Sequence, residues 1–311
     1  MEFSLTTRWN AGRHSTGAAI IAEIRALGID RLELGYDTTI DLVPDIQRLV
    51  AAGEAKVDSV HNFCPLPIAV PRAHPDLFNP ASLDARERAS AIKYTTETIR
   101  FAAEIGARAV VFHSGHVSLA PGTSELIRFM HSGHMFDKEF ERRRERLIAM
   151  REKHFRPHLN ALHETLAALL PVLEESRIKL GLEIAPFWEG LPSELEAEQI
   201  ILHFNSPWLG YWHDIGHGQM RENLGFSNHL RWLERLRPHL VGIHIHDIIY
   251  PTGDHVMPPH GSFNFELLRA IAQDNIIRVF EPRFDLPMAE LVEGMRRVEE
   301  CWSSKEGKTP L

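Results

Sequence analysis

Apolar and polar positions alternate in eight short runs along the chain, and longer stretches with apolar residues at helical spacing lie between them. The strand-like runs fall near residues 2–7, 31–35, 57–61, 109–113, 178–184, 209–214, 240–246 and 277–281. Strand side chains alternate between faces. Leu180, Leu182 and Ile184 therefore share one face while Glu183 takes the other, and Val241, Ile243 and Ile245 oppose His244 and His246 in the same way. Helical stretches follow at 16–28, 38–53, 82–106, 138–176, 193–204, 226–237, 263–274 and 287–302. Strand and helix in steady alternation predict parallel βαβ units in an α/β fold, and eight of each is the count of a closed (β/α)8 TIM barrel. The barrel is expected over 1–302, with 303–311 a flexible C-terminal tail. Ser82 is the expected cap of the helix beginning near Leu83, and Gly28, Gly53 and Gly106 are the expected stops.

Two connections, after strands 3 and 4, are longer than barrel turns require. Residues 62–81 carry Pro65, Pro67, Pro71, Pro75 and Pro80, which predicts an irregular lid. Residues 114–137 bear glycines and lead into a charged helix. From Lys138 to Arg156 that helix has eight Lys or Arg and four Asp or Glu, the pattern of a solvated face with i,i+4 pairs. His131, His134, His154, His158 and His163 fall in or near it without tight ligand spacing.

Composition narrows the class. The hydrophobic content of 44% is ample for a large core, and no apolar run reaches the length of a membrane span. The start lacks the charged-then-apolar pattern of a signal peptide. Cys64 and Cys301, the two cysteines, lie far apart, so a reducing, cytoplasmic protein without a structural disulfide is expected. A net charge of −8 argues against broad nucleic-acid binding. It leaves a homo-oligomer open.

The chemistry sits where the strand-like runs end. Glu33, His61, His113, Glu183, Asp214, His244 and Glu281 each fall at or near the carboxyl end of a run. Carboxylates gathered in one partly dry mouth cannot all stay ionised without compensation. A divalent cation relieves all of them and also accounts for the histidines. Mixed imidazole and carboxylate donors suit Mn, Zn or Co better than Ca, and no cysteine accompanies them. Just past Glu183, Phe187 and Trp188 are candidates for a pocket wall. Arg283, two residues after Glu281, could clamp a substrate carboxylate, phosphate or hydroxyl.

The motifs resemble those of the xylose isomerase-like barrel superfamily, which includes sugar phosphate isomerases and epimerases and endonuclease IV. Asp214-Ile-Gly-His217 resembles the D-x-x-H that ends strand six, His244-Ile-His246-Asp247 the H-x-[KN]-D of strand seven, and Phe280-Glu281-Pro282 the E-P of strand eight. The resemblance implies a metal held by Glu183, Asp214, His244 and Glu281, with Glu183 and Glu281 shuttling the proton. It implies substrate contacts from Glu189, six residues after Glu183, and from His217. The endonuclease branch adds ligands, here His61, His113, His217 and His255; in a mononuclear site His61 and His113 would touch substrate instead. The family's D-x-H on the strand-seven loop stands here as Asp254-His255 with no residue between, and Pro259 and His260 precede Gly261 where the family's first glycine should lie. A full trinuclear centre is not expected on that ground.

The expected function is isomerisation or epimerisation of a sugar or related small polyhydroxylated substrate, by proton transfer through a metal-stabilised enediolate. Two other readings use the same site: an endonuclease IV-like phosphodiester hydrolase, and a dehydratase or lyase of a hydroxy acid.

Overall fold

The computed structural model describes residues 1–68, 70, 72–135 and 137–303. The expected tail therefore lies, beyond Ser303, outside the described residues, as does Pro71 of the lid.

Eight parallel strands close into a barrel: β1 (Ser4–Thr6), β2 (Arg31–Leu34), β3 (Lys56–His61), β4 (Ala109–His113), β5 (Lys179–Glu183), β6 (Leu209–Asp214), β7 (Leu240–Ile245) and β8 (Ile277–Phe280). Each pairs with its neighbours in sequence, and β8 closes on β1 through Ser4 opposite Val279. The strands are short and largely apolar on their outer faces, which helices cover, as parallel sheets require. Those helices are α1 (Gly17–Arg25), α2 (Val43–Ala51), α3 (Ala85–Glu104), α4 (Gly122–Phe129), α5 (Lys138–Ser176), α6 (Glu194–Phe204), α7 (Ile215–Asn223), α8 (His229–Leu236), α9 (Arg269–Ala272) and α10 (Met288–Ser303). No helix among the described residues is long and apolar enough to cross a membrane.

One large side chain sits at the middle of the barrel interior. Trp212 is fully buried and packs with Ala109, Val111 and Val279. Its ring needs glycine on both neighbouring strands: a Cβ on Gly242 would meet Trp212 Cζ3 at 2.3 Å, and one on Gly181 would meet Trp212 Cβ at 3.0 Å. Trp212 is thus packing, and it forms the floor beneath His244, whose ring it meets edge-on at 5.1 Å.

Most expected boundaries hold to within a few residues. Gly28, Gly53 and Gly106 all have positive φ past a helix end. The cap of α3 differs: Asp84, not Ser82, accepts from the backbone of Arg86, while Ser82 accepts from Asp84 N at 3.1 Å. Residues 62–81 form no helix among those described. The connection after β4 holds α4 and a π turn (Met130–His134), and α7 follows β6 directly. A hairpin of Asp247–Ile249 with Gly253–Val256 rises after β7.

Candidate metal centre

Four consecutive strands of the barrel wall, β5 to β8, carry Glu183, Asp214, His244 and Glu281 at or just past their carboxyl ends. Register brings them level. Asp214 stands beside His244 across β6 and β7, and Glu281 N bonds to Ile245 O at 3.1 Å. All four are buried, and one donor atom from each lies within 4.8 Å of the others.

The arrangement fits a divalent cation. His244 Nδ1 faces Glu281 Oε2 at 3.0 Å, Glu183 Oε1 at 3.1 Å and Asp214 Oδ2 at 3.6 Å. One ring nitrogen holds at most one proton, so it cannot satisfy three carboxylates. Its Nε2 lies 3.2 Å from both oxygens of Glu33, which Ser59 Oγ fixes at 2.8 Å. That bond favours the tautomer with the proton on Nε2 and leaves the Nδ1 lone pair facing the carboxylates. Glu183 Oε2, also buried, accepts no aligned hydrogen bond although His113 Nε2 is 3.0 Å away. Donors about 2.1 Å from one ion stand about 3 to 3.5 Å apart, and the three distances from His244 Nδ1, 3.0, 3.1 and 3.6 Å, are of that order.

The electrostatics agree. Burial alone would push His244 down, but the carboxylates of Glu281, Glu33 and Glu183 hold it well above its ordinary value. Burial would likewise raise Glu183, Asp214 and Glu281; the surrounding histidines instead keep all three well below the usual carboxylate range. The field that draws a proton to this point would also hold a cation there.

Further donors flank this group. His61, His113 and Glu183 form one cluster of facing donor atoms, and His217, Asp254 and His255 form another. Asp254 and His255, adjacent in sequence, were not expected to act together. They do face one cluster, because His255 adopts a left-handed backbone (φ 55°) that breaks the alternation of strand side chains. Three of these histidines are held by Nδ1, leaving Nε2 toward the cluster: His61 by Asn62 O at 3.0 Å, His113 by Asp76 Oδ1 at 3.0 Å and His255 by Glu281 O at 2.9 Å. Metal-binding histidines are oriented in this way. Asp76 comes from the proline-rich loop, so that loop reaches the site; burial would raise its carboxyl, but His113 brings it down to about 2.

The other expected site residues sit apart. Glu189 is buried and turned to the start of α4, accepting from Thr123 N at 2.9 Å and Thr123 Oγ1 at 2.5 Å. Trp188 stacks on Phe226 with centroids 4.9 Å apart and lies under the guanidinium of Arg221. Arg283 is exposed and paired with Asp285 at 3.0 Å. His217 stays near the cluster, with Nδ1 3.2 Å from Ile184 O and 3.6 Å from Glu183 Oε1.

The sequence places His246 beside His244 among the polar strand-end residues but singles it out neither as a ligand nor as a substrate contact. Its Nδ1 accepts the backbone N–H of His255 at 2.9 Å, so the ring proton sits on Nε2 and points at both oxygens of Asp214, each 3.0 Å away. His246 thereby fixes the Asp214 carboxylate. His246→Ala should weaken divalent-metal binding about 10- to 100-fold, read by competition with a metal-sensitive dye. His246→Gln should restore part of it. Unchanged metal affinity in the alanine variant would show that Asp214 needs no such support.

The structure is a closed parallel barrel that gathers carboxylates and imidazoles at the carboxyl ends of its strands. The chain belongs to the xylose isomerase-like TIM barrel family, whose profile matches residues 21–301. An uncharacterized protein of Methanocaldococcus jannaschii is 24% identical over 211 residues; the match covers 65% of this chain and 60% of that relative's length. Among solved structures, a D-tagatose 3-epimerase-like protein superposes with a TM-score of 0.70 at 18% identity, over 97% of each chain. The IOLI protein with a bound zinc atom superposes at 0.65 and 13% identity, covering 99% of this chain and all (100%) of that one.

Proposed function

We propose that this protein is a divalent-metal-dependent isomerase or epimerase of a sugar or related small polyhydroxylated compound. The observation that carries the reading is the pair of glutamates, Glu183 and Glu281, which approach His244 Nδ1 from β5 and from the end of β8 at 3.1 and 3.0 Å. Their strands lie three apart in the wall, with those of Asp214 and His244 between them. Glu183, Asp214, His244 and Glu281 would hold the cation, of which Mn, Zn and Co suit the donor set. When bound, such a cation supplies positive charge to the substrate oxygens where negative charge develops. One glutamate would then take a proton from the carbon next to a carbonyl, and the other would return one to the opposite face or the neighbouring carbon. His217 and the flanking histidines His61 and His113 would position substrate hydroxyls, and Trp212 closes the floor against water. The fold shared with the epimerase-like structure supports this reading.

The test is exchange of solvent deuterium into a ketose panel by metal-loaded protein. Wild type should exchange the proton next to the carbonyl, and Glu281→Gln should slow this about 10²- to 10⁴-fold with metal in excess. No exchange with any ketose would sink the proposal.

A second reading has one observation behind it. The His61–His113–Glu183 and His217–Asp254–His255 clusters give room for more than one ion, as a phosphodiester hydrolase of the endonuclease IV kind would need. Salt-sensitive cleavage of duplex DNA at an abasic site, with two or three metals per chain, would establish it over the first.

A further inference from the structure

Arg8 follows β1 in a short 3-10 turn (Thr7–Trp9), and its guanidinium reaches the carboxylates of the centre. Nη1 stands 3.6 Å from Glu281 Oε1, and the other oxygen of that carboxylate faces His244. The route for its stem is built into the chain. A Cβ on Gly35 would lie 2.2 Å from Arg8 Cγ and 2.6 Å from Asp37 Oδ1, so only glycine leaves the passage open. The guanidinium then rests 4.2 Å from the centre of the Tyr36 ring, and Tyr36 meets His61 edge-on at 5.1 Å. Arg8, Tyr36 and His61 therefore make one wall of the centre.

This side chain is only 25% exposed, yet it donates no hydrogen bond to a described residue, and its Nε is buried without a partner. Buried polar groups are normally satisfied, and arginine brings five N–H donors and a permanent charge. Glu281 approaches it but turns its nearer oxygen to 3.6 Å, beyond a hydrogen bond. The ring of Tyr36 holds the guanidinium flat and in place, which lowers the entropy lost when a ligand docks. What completes such a fork is a planar or tetrahedral oxyanion.

We propose that Arg8 anchors an oxyanion of the substrate, a carboxylate or a phosphate, so that the compound taken at this centre is an acidic polyhydroxy molecule. Glu281 stands beside this charge at 3.6 Å, but the N–H fork is untaken, and an oxyanion fills such a fork in pairs where a neutral hydroxyl accepts singly. The anchor fixes the acid end beside Glu281, on the β8–β1 side of the mouth. The proposal rests on the reading of the clustered donors as the active site.

The test is calorimetric binding to Mn2+-loaded protein with three probes: D-fructose, D-fructose 6-phosphate and D-gluconate. At least one acidic probe should bind about 10- to 100-fold more tightly than D-fructose. Preference for the phosphate marks a phosphoryl ligand, and preference for gluconate marks a carboxylate. Arg8→Gln should erase the preference, and Arg8→Lys should keep part of it. Equal binding of all probes by wild type, or a preference that survives Arg8→Gln, overturns the proposal. So does an Mn2+ affinity that falls in step, because Arg8 would then serve Glu281 alone. Deuterium exchange separates the two ideas: Arg8-dependent binding without exchange sinks the isomerase reading, and exchange without it sinks the anchor.

Discussion

Asp214→Asn should abolish the thermal response of the protein to divalent metal while leaving the metal-free fold intact. Asparagine is the informative change, because Asp214 is also the cap of α7 and accepts from His217 N at 2.7 Å. Alanine would lose that cap at a cost of about 1 kcal/mol and confuse the result. In the metal-free protein the substitution removes a buried carboxylate that the surrounding histidines hold in its charged form, so some stability should be lost with the fold still assembled. That cost is common to both conditions and cancels from the metal-induced shift. At a thousandfold excess over Kd, wild type should gain about 4 kcal/mol from the ion. Most of that gain should vanish in the variant, and turnover should fall about a thousandfold or more. The checks are metal content after dialysis and melting curves with and without Mn2+ or Zn2+. An undiminished metal-induced shift would show that Asp214 only caps its helix.

How far the sequence discloses this site depends on which physical signal each residue leaves. The eight strands were legible because period-two alternation survives wherever one face is covered and the other turns inward. The four central donors were legible because a charged residue at the end of such a run has nowhere apolar to go. Helix α7 was hidden by Gly216 and Gly218, which lower helix propensity. Both are needed: a Cβ at Gly216 would meet His246 Cε1 at 2.1 Å, and one at Gly218 would meet His229 Cδ2 at 2.5 Å. Close approach, invisible along the chain, outweighed propensity. The pairing of Asp254 with His255 was hidden by one left-handed residue in a hairpin. Arg8 left no signal, and His246 showed only its place beside His244, because their roles exist through partners just past β2, at the β8 end and in β6. The proline-rich lid was foreseen as irregular, but the reach of Asp76 to His113 was not.

The long basic helix teaches the same lesson with a larger expected effect. Its i,i+4 pairs, such as Arg143 with Glu139 at 3.0 Å, are exposed as its charge pattern predicts. Arg151 breaks the pattern: it is 1% exposed and grips Glu196 with both terminal nitrogens, at 2.8 and 2.7 Å, while donating to Gly190 O at 3.0 Å. Glu196 closes the capping box of α6 through Ser193 N at 2.7 Å. The pair thus ties α5 to the loop that leaves β5 directly after Glu183. Arg151→Ala should cost about 3 to 5 kcal/mol at pH 7, because it strands a buried carboxylate. Arg151→Met with Glu196→Gln should recover most of that, since no charge is then left buried. The pH dependence gives an independent check. Burial pushes the Glu196 carboxyl up, but Arg151 brings it below its ordinary value. In wild type the contribution of Glu196 is present above the unfolded value, about 4.3, and is lost as pH falls through the lower folded one. In Arg151→Ala burial is opposed only by the hydrogen bonds from Ser193, so the carboxyl moves up and the variant lacks the wild-type gain in stability above about 4.3. The gap between the two proteins should therefore be wide at pH 7 and narrow toward pH 4, as read from urea unfolding midpoints. A gap below about 1 kcal/mol at pH 7 would place Arg151 with the exposed pairs of its helix, and the loop beside Glu183 would then need another anchor.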